Sequence, residues 1–117
     1  MATNSQIAFN PQGNTVLVAA DAVAPAGVQA PVQAKFDAQS TGQYRFVNAG
    51  TSTVFLGVGS TAAIAQTNAV APIAGSPALS VVLLPGAIEI LRFGRNSFFS
   101  GLAAVASSVY IVPGEGI

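Results

Sequence analysis

The strongest periodic signal in the chain lies at residues 28–37, where Val28, Ala30, Val32, Ala34 and Phe36 alternate with Gln29, Pro31, Gln33, Lys35 and Asp37. A period of two puts the two sets on opposite sides of a pleated ribbon, so the spacing predicts a half-buried β-strand. Pro31 falls on the polar side and has no N–H to give to a ladder, which places this strand at a sheet edge or beside a bulge. Short runs rich in β-branched and aromatic residues at 7–9, 15–20, 44–48, 53–58, 79–84, 87–93, 98–105 and 108–112 read as further strands. Residues 79–84 are apolar on nearly both faces. That suits a central strand packed between the opposite sheet and a neighbouring subunit, or simply a well-buried core strand.

Turn residues separate these runs at close intervals: Pro11-Gln12-Gly13-Asn14, Ser40-Thr41-Gly42, Gly75-Ser76-Pro77, Pro85-Gly86 and Gly94-Arg95-Asn96. Strands recurring at this spacing predict an all-β fold, a single β-sandwich of about eight short antiparallel strands over residues 1–117. Residues 1–27 read as a partly extended N-terminal arm. Pro85-Gly86 fits the central pair of a type II turn, with proline setting the first φ and glycine accepting a positive second φ. Tight hairpins prefer the mirror-image turns, so this one is expected to carry the chain round a corner between sheets. One stretch reads as helical: Ser60 or Thr61 caps a turn or two that begins at Ala62 and ends near Asn68.

Charge changes the picture. Four basic and four acidic residues make up 7% of 117 residues, and positions 46–88 carry none; about 25% is usual. Thirty Ser, Thr, Asn and Gln residues must supply most of the polar surface. A net charge of zero gives no electrostatic repulsion between copies, so the chain is expected to hide surface in an assembly. The absence of cysteine rules out disulfides and thiolate metal sites. The N-terminal M-A-T-N-S-Q has no basic segment followed by an apolar stretch, so a cleaved leader is not expected. The greasiest segment, 78–91, is broken by Ser80, Pro85-Gly86 and Glu89 and falls short of the ~20 residues that span a bilayer, so no membrane partner is expected.

Gly57, Gly59 and Ala62 come after an apolar run at the spacing G-x-G-x-x-A, which is that of a dinucleotide-binding turn. Such a site needs a full helix behind the glycines, a returning parallel strand and an acid about 20 residues on. Here the helix is short, Pro72 and Gly75-Ser76-Pro77 interrupt the segment beyond it, and the next acid is Glu89. With no His and no Cys, Ser–His–Asp and Cys–His catalysis are impossible, and Asp21, Asp37, Glu89 and Glu115 are scattered. The chain therefore reads as no enzyme, with no cofactor and no metal. Four dispersed cations do not make a nucleic-acid face, where a tight contact neutralises roughly 6–10 phosphates. Arg92 and Arg95 near Phe98 and Phe99 read instead as a candidate protein interface, since interfaces enrich arginine and aromatics. Glu89 reads either as an outward strand residue or as an arginine's partner across a subunit boundary.

The succession Tyr44-Arg45-Phe46-Val47-Asn48-Ala49-Gly50-Thr51, then Leu84-Pro85-Gly86-Ala87-Ile88-Glu89-Ile90, and the ending Tyr110-Ile111-Val112-Pro113-Gly114-Glu115-Gly116 resembles small virion proteins of tailed bacteriophages and prophages. The similarity covers about residues 44–117. It implies a jelly-roll-like β-sandwich of the capsid decoration, or cement, type. A protein of that type is made in the host cytoplasm and lies on the capsid exterior. The partners so implied are the major capsid protein and other copies of the chain, as a trimer. The alternative in a different class is a tail- or fibre-associated sandwich that binds a receptor or carbohydrate through Tyr44 and Tyr110.

Overall fold

The computed structural model describes residues 9–11, 13–30, 41–94 and 96–115. Nine strands and one helix lie among them: β1 (Asn10–Pro11), β2 (Val16–Ala20), β3 (Val28–Gln29), β4 (Thr41–Asn48), β5 (Val54–Gly59), α1 (Ala62–Asn68), β6 (Ser80–Leu83), β7 (Ile88–Gly94), β8 (Phe98–Ala103) and β9 (Ser107–Glu115). Every pairing between these strands is antiparallel. One sheet, here called A, runs β2-β9-β4-β7, with β1 prolonging the β2 side of β9. The other, sheet B, runs β3-β8-β5-β6.

The pairings are nested: β2 with β9, β3 with β8, β4 with β7, β5 with β6. Successive nested pairs alternate between sheet A and sheet B. A ribbon of paired strands wrapped in this way is a jelly roll. The break between β1 and β2 falls opposite Val112–Pro113 of β9, where a proline nitrogen has no hydrogen to donate.

Alternation along the strands sorts the core from the surface. Tyr44 and Phe46 of β4, Val54 and Leu56 of β5, Phe99 of β8, and Val109 and Ile111 of β9 all point between the sheets and are fully buried. Tyr44, Phe46, Phe93 and Phe99 form one aromatic cluster, with ring centroids of Tyr44 and Phe99 5.0 Å apart in an edge-on arrangement. The Tyr44 hydroxyl donates to the Gly94 carbonyl at 3.1 Å, so its polar end is satisfied at the core's margin.

Pro85 and Gly86 carry the chain from β6 in sheet B to β7 in sheet A. Gly86 has φ of +78°, and the Ala87 N–H donates to the Leu84 carbonyl at 2.9 Å, as a type II turn requires. Asn48, at the end of β4, clasps this corner. Its side-chain amide nitrogen donates to the Leu83, Leu84 and Ser52 carbonyls at 3.0, 3.2 and 2.9 Å, and its Oδ1 accepts from the Gly50 N–H at 3.1 Å.

Three expectations need correction or completion. Among the described strands residues 79–84 do not form a central one: β6 lies at the edge of sheet B, Leu83 alone of that run is fully buried, and Leu79 is 80% exposed. Within the stretch read as an N-terminal arm, β2 is built into sheet A through five paired positions, with Val18 and Ala20 in the core. The strand expected over 28–37 begins as predicted, with Val28 half-buried, Gln29 exposed and Ala30 buried; its remainder, including Pro31, lies outside the described residues, as does most of the run at 7–9.

Candidate interaction surfaces

The two outer faces of the sandwich are finished differently. On sheet B the outward positions of β5 include Gly57 and Gly59, and α1 lies directly against them. Thr61 starts the helix in an extended conformation, its Oγ1 accepting from the Ile64 N–H at 3.2 Å. A Cβ on Gly57 would collide with the Ala65 carbonyl and the Ala69 nitrogen, and one on Gly59 with Ile64 and the Ala65 nitrogen. The glycines of the G-x-G-x-x-A pattern are thus the seat of a helix packed flat on its own strand, with no phosphate involved. Asn68 ties the helix end to β5 by donating to the Val58 carbonyl at 2.9 Å. The connection from β2 to β3 extends the cover, leaving Val82 of β6 46% exposed at the sheet's edge: Gln66 donates to the Ala24 carbonyl at 2.8 Å, and the buried Ser100 donates to the Pro25 carbonyl at 2.6 Å. Beside this cover lies a hollow of about 270 Å³ lined by Ala22, Phe55, Ala71, Leu102, Ala103 and Ala104. No polar side chain lines it, so nothing there would orient a ligand.

Sheet A has no such cover among the described residues. Its outward positions are read from the register: Leu17 pairs with Tyr110, Tyr110 with Val47, and Val47 with Ile88. These four large side chains form one strip that crosses all four strands. Leu17, Tyr110 and Ile88 are 46%, 42% and 56% exposed, and Val47 is half-buried. The next row along the strands holds Val112, Arg45 and Ile90, and the row after it places Gln43 beside Arg92. The outer face of an antiparallel sandwich is ordinarily polar. This one is mostly apolar, which makes it a candidate interaction surface.

The residues predicted as an interface do not form one surface. Arg92 is exposed on the outer face of sheet A, while Glu89, also exposed, pairs with Phe46 and so lies at the rim on the other side of β7. Phe98 is half-buried on the outer side of sheet B. Phe99 is fully enclosed in the aromatic cluster and has no surface to offer a partner; neighbouring residues in a strand point opposite ways, so only one of this pair can face out. Arg95 lies outside the described residues. The strip itself was not anticipated, although part of its signal is in the sequence: Leu17, Val47 and Val112 are apolar at positions that alternate with core residues, whereas Ile88 and Ile90 flank the exposed Glu89.

Among the described residues no three His, Cys, Asp or Glu side chains stand close enough to hold a metal ion. No helix among them is long and apolar enough to cross a membrane. Comparison with protein-family models, with curated proteins and with solved structures gives no match.

Proposed function

We propose that this chain is a structural virion protein of a tailed bacteriophage, which decorates and stabilises the capsid by binding its outer lattice as a homo-oligomer. The observation that carries this reading is the pairing of a jelly-roll sandwich with an apolar sheet face that no described residue covers. Jelly rolls recur in capsid components, although also in lectins and cupins, so the fold alone is an analogy. The surface adds a physical reason. A chain with 7% charged residues and an outward strip of Leu, Tyr, Val and Ile is suited to packing against protein. The resemblance of residues 44–117 to phage virion proteins supplies the particular assembly.

The receptor- or carbohydrate-binding alternative is weakened by the fate of the two tyrosines on which it rests. Tyr44 is fully buried, which leaves Tyr110 as the exposed member of that pair. The test is co-sedimentation of purified protein with empty capsid shells of the phage that encodes it. Saturable binding at a fixed ratio to the major capsid protein is expected; failure to sediment, together with glycan binding on an array, would replace this reading with the alternative.

A further inference from the structure

The outer face of sheet A is asymmetric in a way that matches it to itself. On one side of the strip formed by Leu17, Tyr110, Val47 and Ile88 lie the bulky residues Val112, Arg45 and Ile90. On the other side lie small ones: Ala19 pairs with Ser108, and the Ala49 N–H donates to the Ser108 carbonyl at 2.9 Å. A two-fold rotation about an axis along the strip stacks the strip on its own copy. The same rotation sets each bulky row over the other copy's small row. It also carries Arg45 and Arg92 of the two copies to opposite flanks, so like charges do not face each other.

We infer that two copies of this chain associate back to back through the outer faces of their A sheets, with the Leu17–Tyr110–Val47–Ile88 strip at the centre of an isologous contact. Strands of the two sheets then lie nearly aligned, the arrangement in which twisted sheets stack about 10 Å apart. The proposal takes from the preceding reading only that copies meet, and it differs from the trimer implied by the sequence resemblance. Four strands at ~4.8 Å by three rows at ~6.8 Å give a footprint of roughly 400 Å² per copy. Two such footprints give about 800 Å² in total, below the ~1,000 Å² that a stable specific interface clears and about half the usual 1,600 Å². The pair is accordingly weak in free solution.

Sedimentation velocity on the full chain from about 1 μM to 1 mM tests this. A monomer–dimer equilibrium is expected, with at least tenfold weaker association in Ala19→Arg, which fills the small row, and in Leu17→Glu, which charges the strip. Both positions are exposed, so far-UV circular dichroism is expected to be unchanged; a variant that unfolds is replaced by Ile88→Glu at the strip's other end. Leu79→Glu, away from this face, is expected to associate like the parent. A monomer throughout, a three-copy particle, association that survives Ala19→Arg and Leu17→Glu, or equal loss in Leu79→Glu would each overturn the inference. Shell co-sedimentation is scored separately. A chain that binds shells but never pairs sinks this inference alone, and one that pairs as described but binds no shell sinks the capsid reading alone.

Discussion

Asn48 is a fully buried polar side chain with four hydrogen bonds, and its removal gives a quantitative test of how the sandwich closes. Its amide is fully buried and bridges three segments: the end of β4, the β6–β7 corner and the loop that leads into β5. Asn48→Ala deletes the donors to Ser52, Leu83 and Leu84 and the acceptor for Gly50. Leu83 is buried, whereas Ser52 and Gly50 are half-buried and Leu84 is exposed, so water replaces part of what is lost. Counting ~1–2 kcal/mol for the stranded Leu83 carbonyl and ~0.5 kcal/mol for each of the other contacts gives a loss of about 3 kcal/mol. For a domain of this size that lowers Tm by roughly 10 °C. Urea unfolding followed by fluorescence and circular dichroism reads the loss as a lower midpoint at unchanged slope. Asn48→Asp separates hydrogen bonding from volume, because it keeps the size but turns a carboxylate oxygen toward carbonyl oxygens. Its carboxyl resists ionisation in the folded state, so the destabilisation is largest at neutral pH and eases as the pH falls below the raised folded-state pKa. A loss under 1 kcal/mol in Asn48→Ala, or an Asn48→Asp variant as stable as the parent at pH 7, would refute the assignment of Asn48 as the clasp.

Three further substitutions probe other parts of the structure. Gly57→Ala drives a methyl group into the Ala65 carbonyl and the Ala69 nitrogen, so α1 must lift from β5; a loss of about 2–3 kcal/mol is expected, against ~1 kcal/mol for Gly75→Ala, which has open space but a φ of +82°. Phe99→Ala empties the centre of the aromatic cluster and is expected to cost about 3–5 kcal/mol in thermal or urea unfolding, well above the half-buried Phe98→Ala. Thr61→Ala removes the cap of α1, and a loss of about 1 kcal/mol with faster amide exchange confined to the helix is expected.

Much of the architecture was legible because alternation is a local signal. The strands at 44–48, 53–58, 87–93 and 108–112 and the helix from Ala62 to Asn68 could be placed from side-chain pattern and capping alone. The nested order of the strands could not, because it is set by which ribbons meet across the sandwich and by corners such as Pro85-Gly86. Burial was misread where an apolar face is left uncovered: the hydrophobic run at 79–84 looks like core, yet β6 is an edge. For the same reason the strip on sheet A was hidden, since Leu17, Val47 and Ile88 resemble core residues in sequence. Phe98 and Phe99 alternate, but nothing local says which of them faces inward. Asn48-Ala49-Gly50 has the composition of an ordinary turn, and nothing local marks Asn48 as a clasp. Gly57 and Gly59 show a dinucleotide-turn spacing in the sequence, and only the fold reveals that they seat the chain's own helix.

The proposal that the chain is a jelly-roll subunit of an outer capsid surface is tested directly by a cryo-electron microscopy reconstruction of a phage particle carrying the protein. Density that fits the β2-β9-β4-β7 and β3-β8-β5-β6 sheets is expected at regular positions on the capsid exterior. Such density found only on the tail or a fibre, or a particle with none, would contradict it.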